Sequence, residues 1–297
     1  MRPLRSVFLA IVVALGAAGC SHDAGGPKLA GRLKVVAAEN FYGDIARQLG
    51  GDRVTVTSII SDPSTDPHQY GSDARDAEAF ADARIVIENG LGYDEFVAKL
   101  LSVTSNHGRV VLSVAQVLHA ADDANPHLWY DLPRIPAVAR AVEAALVGAD
   151  SAHAAVFAAN FRAFDASLAP LERILREIRT KYPQAPVAYT ERVPGYLLDA
   201  AGLTIASPVG FARAIEDGNE PSASDRRAMD DLVTRHGIRA LLYNAQATSP
   251  VTQHVRDLAG RAGIPVVAVT ETQPRSEPTY QSWQLHQLEA LLTALGG

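Results

Sequence analysis

Ser151 to Lys181 reads SAHAAVFAANFRAFDASLAPLERILREIRTK and separates two stretches of similar length and pattern. It contains no glycine and one interior proline, Pro170. Its apolar residues recur at helical spacing; they are Val156, Phe157, Phe161, Phe164, Leu168, Leu171, Leu175 and Ile178. A continuous helix here would be about 45 Å long, and Pro170 should kink it or end one segment. We therefore predict a helix over 149–183 that links two lobes.

On both sides of this helix, short β-branched runs alternate with helical stretches, which is typical of an α/β fold with parallel sheets. The predicted strands before it are Leu33 to Ala38, Val54 to Ile60, Arg84 to Glu88 and Val110 to Val114. Those after it are Pro186 to Thr190, Leu203 to Ser207, Ala240 to Tyr243 and Pro265 to Thr270. We expect two lobes, 32–148 and 184–297, each with a mainly parallel four-stranded sheet flanked by helices.

Composition limits the classes of partner. The chain has 297 residues, of which 47% are hydrophobic and 20% charged, an ordinary globular composition with room for two domains. Its 27 Lys and Arg against 33 Asp and Glu give a net charge of -6. Without a basic surface to hold a phosphate backbone, we expect no nucleic-acid partner. We expect the protein to be a monomer.

The N-terminus indicates export. Arg2 and Arg5 precede a short apolar run, and small residues lead to Cys20, the only cysteine of the chain. This pattern predicts a signal peptide over 1–19. The junction resembles the lipobox of bacterial lipoproteins, although Ala17 stands where leucine is most common. We expect Cys20 to be acylated, 20–31 to be a tether, and the mature protein to be anchored extracytoplasmically, in the periplasm or at the cell surface. An ordinary signal peptide ending near a buried cysteine is the alternative.

Polar residues directly after the predicted strands are candidates for a binding site, because open parallel sheets hold ligands beyond the carboxyl ends of their strands. They are Glu39, Asp62 to His68, Glu88, Asn125 to His127, Glu191, Asn244, Gln246 and Glu271. The rule alone does not choose among them. Glu39 and Glu88 are better explained as supporting acceptors or charges at helix N-termini. Asn244 and Gln246 either orient a ligand or satisfy loop amides.

Two of these loops place a histidine directly after a proline, in Asp66 to Tyr70 (DPHQY) and in Asn125 to Asp131 (NPHLWYD). Proline restricts its own φ angle and the residue before it, so the imidazoles of His68 and His127 are held in limited orientations. A metal site requires ligands that are placed in advance. One such histidine is more often a hydrogen-bonded turn residue, but the repeated arrangement favours a metal.

The two proline-histidine motifs resemble those of the metal-specific solute-binding lipoproteins of bacterial ABC importers for zinc and manganese. Supporting matches are Glu88 to Gly92 (ENGLG) and Glu220 to Ser222 (EPS), and the resemblance covers nearly all of Leu33 to Leu295. It implies that His68 and His127 are the first two metal ligands. The third, a His or Glu, would be Glu191, and the fourth, usually an Asp, would be Glu271. The alternative for both glutamates is a pair of solvated loop carboxylates.

The resemblance implies a receptor that captures one divalent transition-metal ion, Zn²⁺ or Mn²⁺, and delivers it to an ABC permease without transforming it. A secreted zinc-dependent hydrolase is an alternative, since two histidines and a carboxylate also describe catalytic zinc. The sequence has no HExxH or GxSxG motif. A surface adhesion protein is a second alternative. Two imidazoles with two carboxylates favour manganese over zinc. Many zinc receptors of the resembling family carry a His-rich insert ahead of the second histidine motif, so the resemblance implies the same preference from the short 119–125 segment (HAADDAN), which has one histidine.

Overall fold

Two parallel sheets connected by helices make up the part of the chain that the structure describes. The structure is a computed structural model, and it describes residues 31–62 and 70–296. Cys20 and His68 lie outside these residues, so their assigned roles stay predictions. From Arg32 onward the described residues form one compact unit. The division into lobes at 148 and 184 also stays a prediction.

The first sheet has the strand order β2-β1-β3-β4, and all its strands are parallel. The elements of this half are β1 (Leu33–Glu39), α1 (Asn40–Gly50), β2 (Val54–Ile60), α2 (Ala74–Asp82), β3 (Ile85–Glu88), α3 (Glu95–Val103), β4 (Val110–Ser113), α4 (Val114–Val117) and α5 (Ile135–Ala149). Each predicted strand is present, with bounds within one residue of the prediction. Apolar side chains cover both faces of β1: Val35 and Ala37 enter one core cluster, and Val36 and Ala38 enter another.

The second sheet repeats this arrangement with the order β6-β5-β7-β8, again parallel. Its elements are β5 (Pro186–Tyr189), α8 (Gly195–Ala200), β6 (Thr204–Ile205), α9 (Val209–Glu216), α10 (Ala223–Thr234), β7 (Leu241–Asn244), α11 (Pro250–Arg261), β8 (Val266–Val269) and α12 (Tyr280–Ala294). The predicted α/β class with two four-stranded sheets is therefore confirmed. Only β6 is clearly shorter than expected.

The linking segment is bent. It consists of α6 (Ala154–Ser167) and α7 (Ala169–Lys181), with Leu168 between them and Pro170 in the first turn of α7. The Leu168 carbonyl accepts the amides of Leu171 and Glu172, at 3.0 and 3.2 Å, so the backbone bonding continues through the bend. The interruption predicted at Pro170 is confirmed, because proline is tolerated in a first turn but not in a helix interior.

The largest hydrophobic cluster draws residues from both halves of the chain. The C-terminal helix α12 contributes the buried Tyr280 and Trp283 and packs against both α1 and α7. In the first half of the chain, Phe41 of α1 stacks on Trp129 with ring centroids 4.5 Å apart. Trp129 in turn packs against His127, with ring centroids 5.2 Å apart, so this aromatic cluster reaches the second proline-histidine loop.

Two places in the sequence have a capping residue closely followed by proline, a pattern that favours a helix start: Ser249 before Pro250, and Asp131 before Leu132 and Pro133. Ser249 does cap α11, since its hydroxyl accepts the Thr252 amide at 3.2 Å. Asp131 begins only the 3₁₀ turn Leu132–Arg134, and its side chain makes no cap bond to that turn. Within 31–62 and 70–296, no helix combines the length and apolarity that crossing a bilayer requires.

Candidate metal centre

Three potential metal ligands from separate parts of the chain meet at the carboxyl ends of the strands. His127 follows the first sheet, Glu191 lies two residues beyond β5, and Glu271 lies two residues beyond β8. One ligand atom from each lies within 4.8 Å of the others. All three residues are at most 1% exposed. The alternative of solvated loop carboxylates is therefore wrong for Glu191 and Glu271.

Asn125 determines which nitrogen of His127 carries the proton. The Asn125 amide nitrogen donates to the Arg192 carbonyl at 2.8 Å, so its oxygen Oδ1 faces the imidazole. That oxygen lies 2.7 Å from His127 Nδ1 and also accepts the His127 backbone amide. Nδ1 must therefore carry the hydrogen, which leaves the lone pair on Nε2. Nε2 faces Glu271 Oε2 at 3.7 Å.

The loop that carries His127 is held from both sides. The Asn89 side chain donates to the Pro126 carbonyl at 2.9 Å, and the Tyr42 hydroxyl donates to Asn89 at 2.7 Å. Tyr280 of α12 donates to the Trp129 carbonyl at 2.5 Å. The ENGLG motif thus has a structural role, because its buried asparagine supports the second proline-histidine loop. A pre-positioned imidazole is the result.

Glu271 accepts hydrogen bonds on both carboxylate oxygens. Asn244 Nδ2 donates to Oε1 at 2.7 Å, and the Tyr93 hydroxyl donates to Oε2 at 2.9 Å. Burial, and next the Glu271 carboxylate, raise the pKa of Tyr93, so this phenol stays protonated and remains a donor. Gln246 fixes the backbone by accepting the amides of Glu271 and Thr272, at 2.5 and 2.9 Å.

Glu191 shares the same amide donor. Asn244 Nδ2 donates to Glu191 Oε2 at 2.6 Å. The side chain of the next residue, Arg192, forms a bidentate ion pair with Glu216, at 2.7 and 2.6 Å. Asn244 and Tyr93 are neutral donors, so they hold the two carboxylates without cancelling their charge. One imidazole nitrogen and two carboxylates, all buried, form a donor set suited to a divalent transition metal.

The remaining strand-end carboxylates lie outside this three-residue group. Glu39 is fully buried, and that burial together with the neighbouring Asp94 carboxylate raises its pKa. Burial likewise raises the pKa of Glu88, which is half-buried. Glu39 is the residue directly before α1 and makes no side-chain cap bond to that helix.

Sequence reasoning missed Tyr93 and left Asn244 undecided. Tyr93 contacts a ligand candidate 178 residues away, and only its position after the Gly90 to Gly92 turn could have drawn notice. Of the remaining histidines in the described part, His153 is half-buried and the others are exposed; these are His107, His119, His236, His254 and His286.

The sequence matches a known protein family over most of its length. Residues 35–294 match the family described as zinc-uptake complex component A, periplasmic. The manganese-binding lipoprotein MntA of Halalkalibacterium halodurans is 30% identical over 201 residues, which cover 66% of this chain and 67% of that protein.

Solved structures share the fold at low sequence identity. The periplasmic zinc-binding protein TroA of Treponema pallidum superimposes with a TM-score of 0.76 at 19% identity, covering 90% of this chain and 100% of TroA. FpvC of Pseudomonas aeruginosa, in complex with Mn²⁺, gives a TM-score of 0.75 at 21% identity, covering 89% of this chain and 98% of FpvC. The two-sheet architecture with its bent linking helix is common to these proteins.

Proposed function

The chain belongs to the zinc-uptake complex component A family, and from that premise we propose that it is the extracytoplasmic receptor of a bacterial ABC importer. It captures one divalent transition-metal ion, zinc or manganese, and delivers it to the membrane permease. The ion is cargo, so the receptor binds and releases it without chemical change.

One observation carries this proposal: a buried imidazole and two buried carboxylates from both halves of the chain converge within 4.8 Å. Burying charged groups is costly unless they are paired or coordinate a metal. His127, Glu191 and Glu271 are three of the proposed ligands. His68, on the loop after β2, is the proposed fourth.

The arrangement supports a receptor over a zinc hydrolase. A catalytic zinc keeps one position open for water and needs a general base beside it. Here each acidic side chain of the group is proposed to bind the ion, so none is left as the base. The relatives compared above are named as binding proteins. We expect no ester or peptide hydrolysis by the zinc-loaded protein, and turnover abolished by His127→Ala would support the hydrolase instead.

Anchoring through Cys20 completes the proposal. MntA of Halalkalibacterium halodurans is named as a lipoprotein. An acylated Cys20 would keep the receptor at the membrane surface, close to its permease. Intact mass of the membrane fraction should show the lipid on Cys20, and Cys20→Ser should release or misprocess the protein. An unmodified Cys20 in a soluble mature protein would contradict the anchor but not the receptor.

Calorimetry tests the receptor function. The fragment 21–297 contains the whole compact unit from Arg32 onward and should bind one Zn²⁺ or Mn²⁺. His127→Ala removes a direct ligand. It should therefore lower the metal affinity by more than about 10–100-fold, which is the loss seen when a residue that only supports a ligand is removed. His119→Ala, at an exposed histidine, is the matched control and should bind as the wild type does. Equal binding by both variants would overturn the ligand assignment.

Manganese is the proposed cargo, on the ground that the oxygen-rich donor set suits it. Affinities measured on purified protein do not identify the cargo, because the affinity of most sites rises from manganese to zinc whichever metal is transported in the cell. Metal accumulation with and without the gene is the better test. Deletion should lower cellular manganese, and lowered zinc with unchanged manganese would contradict the assignment.

A further inference from the structure

Asn244 occupies a central place between the two proposed carboxylate ligands. It is the last residue of β7, which pairs with β5 on one side and with β8 on the other. Leu242 pairs with Tyr189, and Asn244 pairs with Val269. Glu191 and Glu271 each follow two residues after those partners, so the register brings both carboxylates to the Asn244 side chain.

The orientation of the Asn244 amide follows from its contacts. Its oxygen accepts the Gln246 backbone amide at 3.0 Å, which leaves the NH₂ group facing the carboxylates. The two hydrogens of that group go to Glu191 Oε2 at 2.6 Å and to Glu271 Oε1 at 2.7 Å. The residue is 1% exposed, so water cannot replace a hydrogen bond that is lost here.

We propose that Asn244 is a positioning residue that sets metal selectivity by restricting Glu191 and Glu271 to one metal-binding oxygen each. The inference rests on the proposed receptor function. In Glu271, Oε1 accepts from Asn244, whereas Oε2 accepts from Tyr93 and is the oxygen that faces the Nε2 atom of His127. Each carboxylate oxygen that accepts from Asn244 keeps a second lone pair, but moving it away from Asn244 towards the ion would lengthen the bond and leave a buried amide hydrogen poorly paired.

Restricting the oxygens restricts the coordination number. With one oxygen from each glutamate, the two carboxylates give the ion two ligand atoms, whereas chelation by both would give it four. Zinc is commonly four-coordinate, whereas manganese favours six ligands that are mostly oxygen. Asn244 therefore raises the affinity of the purified protein for zinc relative to manganese, which is a separate property from the metal that is carried in the cell.

Two variants remove this restriction. Asn244→Leu has a similar shape and no donor. Asn244→Ser keeps an oxygen near the Gln246 amide but is too short to reach both carboxylates, so it serves if the leucine variant does not fold. In either folded variant, the ratio of zinc affinity to manganese affinity should fall by about tenfold or more, on the scale of outer-partner effects.

Co²⁺ is a spectroscopic probe of the same effect, because its visible absorption is strong in four-coordinate sites and weak in six-coordinate ones. The wild type should give the strong spectrum, and the Asn244 variants a weaker one. Tyr93→Phe is the matched control: it removes one bond to Glu271 Oε2 but leaves Asn244 in place. It should weaken zinc and manganese binding by similar factors and keep the strong cobalt spectrum.

The outcomes separate this inference from the receptor function. A wild type that binds Zn²⁺ and Mn²⁺, together with Asn244 variants that keep both the affinity ratio and the cobalt spectrum, would overturn the role of Asn244 alone. A folded wild type that binds neither ion would overturn the receptor function and this inference with it.

Discussion

Asn125 links the two halves of the chain through a single side chain. Its amide nitrogen bonds to the Arg192 carbonyl, and its oxygen accepts from the imidazole of His127. It therefore fixes the tautomer of one proposed ligand and lies beside the segment that carries another. Outer partners of this kind keep a ligand oriented before the ion arrives.

Asn125→Ala should lower metal affinity by about 10–100-fold, because His127 loses the acceptor that holds its Nδ1 hydrogen. Asn125→Asp, which keeps that acceptor, is the control and should retain more affinity than the alanine variant. Titration calorimetry at neutral pH compares the two. Wild-type affinity in Asn125→Ala would show that the imidazole is oriented by other contacts.

The buried carboxyl group of Asp94 should make the stability of the metal-free protein depend on pH. Burial is the main reason that the pKa of Asp94 rises from 3.8 to about 6, against the lowering effect of bonds from the Gly90 and Asn89 amides. A raised folded pKa favours the protonated form. Its contribution to stability is therefore complete below about pH 4 and is lost as the pH rises through about 6.

Urea unfolding between pH 4 and 7 tests this dependence. The unfolding free energy of the wild type relative to Asp94→Asn should fall as the pH rises, by a total on the order of 3 kcal/mol. A difference that stays constant or grows with pH would contradict the assigned environment of Asp94.

The identity of the ligand candidates was readable from the sequence, but the side chains that hold them were not. His127, Glu191 and Glu271 follow strand ends or a proline, and they do converge. Nothing local marks Tyr93, whose contact with Glu271 spans 178 residues. Asn244 was visible as a strand-end residue, yet only the register of β7 between its neighbours shows why it matters.

Strand bounds were largely predictable, because burial on both faces of a parallel sheet imposes uninterrupted apolar runs. The strand-end rule was less selective. Glu39, at the end of β1, satisfies it as well as Glu271 does, but it does not join the three-residue group. The difference depends on which strand ends face each other across the two sheets, which is a tertiary property.

The bend between α6 and α7 should survive loss of its proline. Pro170→Ala is expected to change the unfolding free energy by less than about 1 kcal/mol, since a first-turn amide needs no helical acceptor. The control Arg173→Pro, at an exposed position inside α7, should cost about 3 kcal/mol or more. Thermal or urea unfolding distinguishes them. A large loss in Pro170→Ala would mean that the proline itself holds the bend.

The two halves are joined by more than the linking helix. Asn40 and Gln273 exchange two hydrogen bonds, at 2.7 and 3.0 Å. Tyr280 of α12 bonds to the Trp129 carbonyl, and its amide bonds to Asp44. These contacts pair residues that lie at least 151 positions apart in the sequence, so periodicity and motifs could not reveal them.

Metal binding should therefore change the shape of the molecule only slightly. Large hinge closure requires a few loop residues that absorb the motion, whereas here packed helices and direct bonds connect the halves. Small-angle scattering profiles with and without metal should nearly superimpose. A clear fall in the radius of gyration on binding would show that Leu168 and Pro170 form a working hinge.

The central claim concerns where the ion binds. A crystal structure of the fragment 21–297 grown with Mn²⁺ or Zn²⁺, with data collected on both sides of the metal absorption edge, locates and identifies it directly. We predict one anomalous peak within bonding distance of His127, Glu191 and Glu271. A bound ion that contacts none of these three side chains, or their convergence without any ion at saturating metal, would contradict the account.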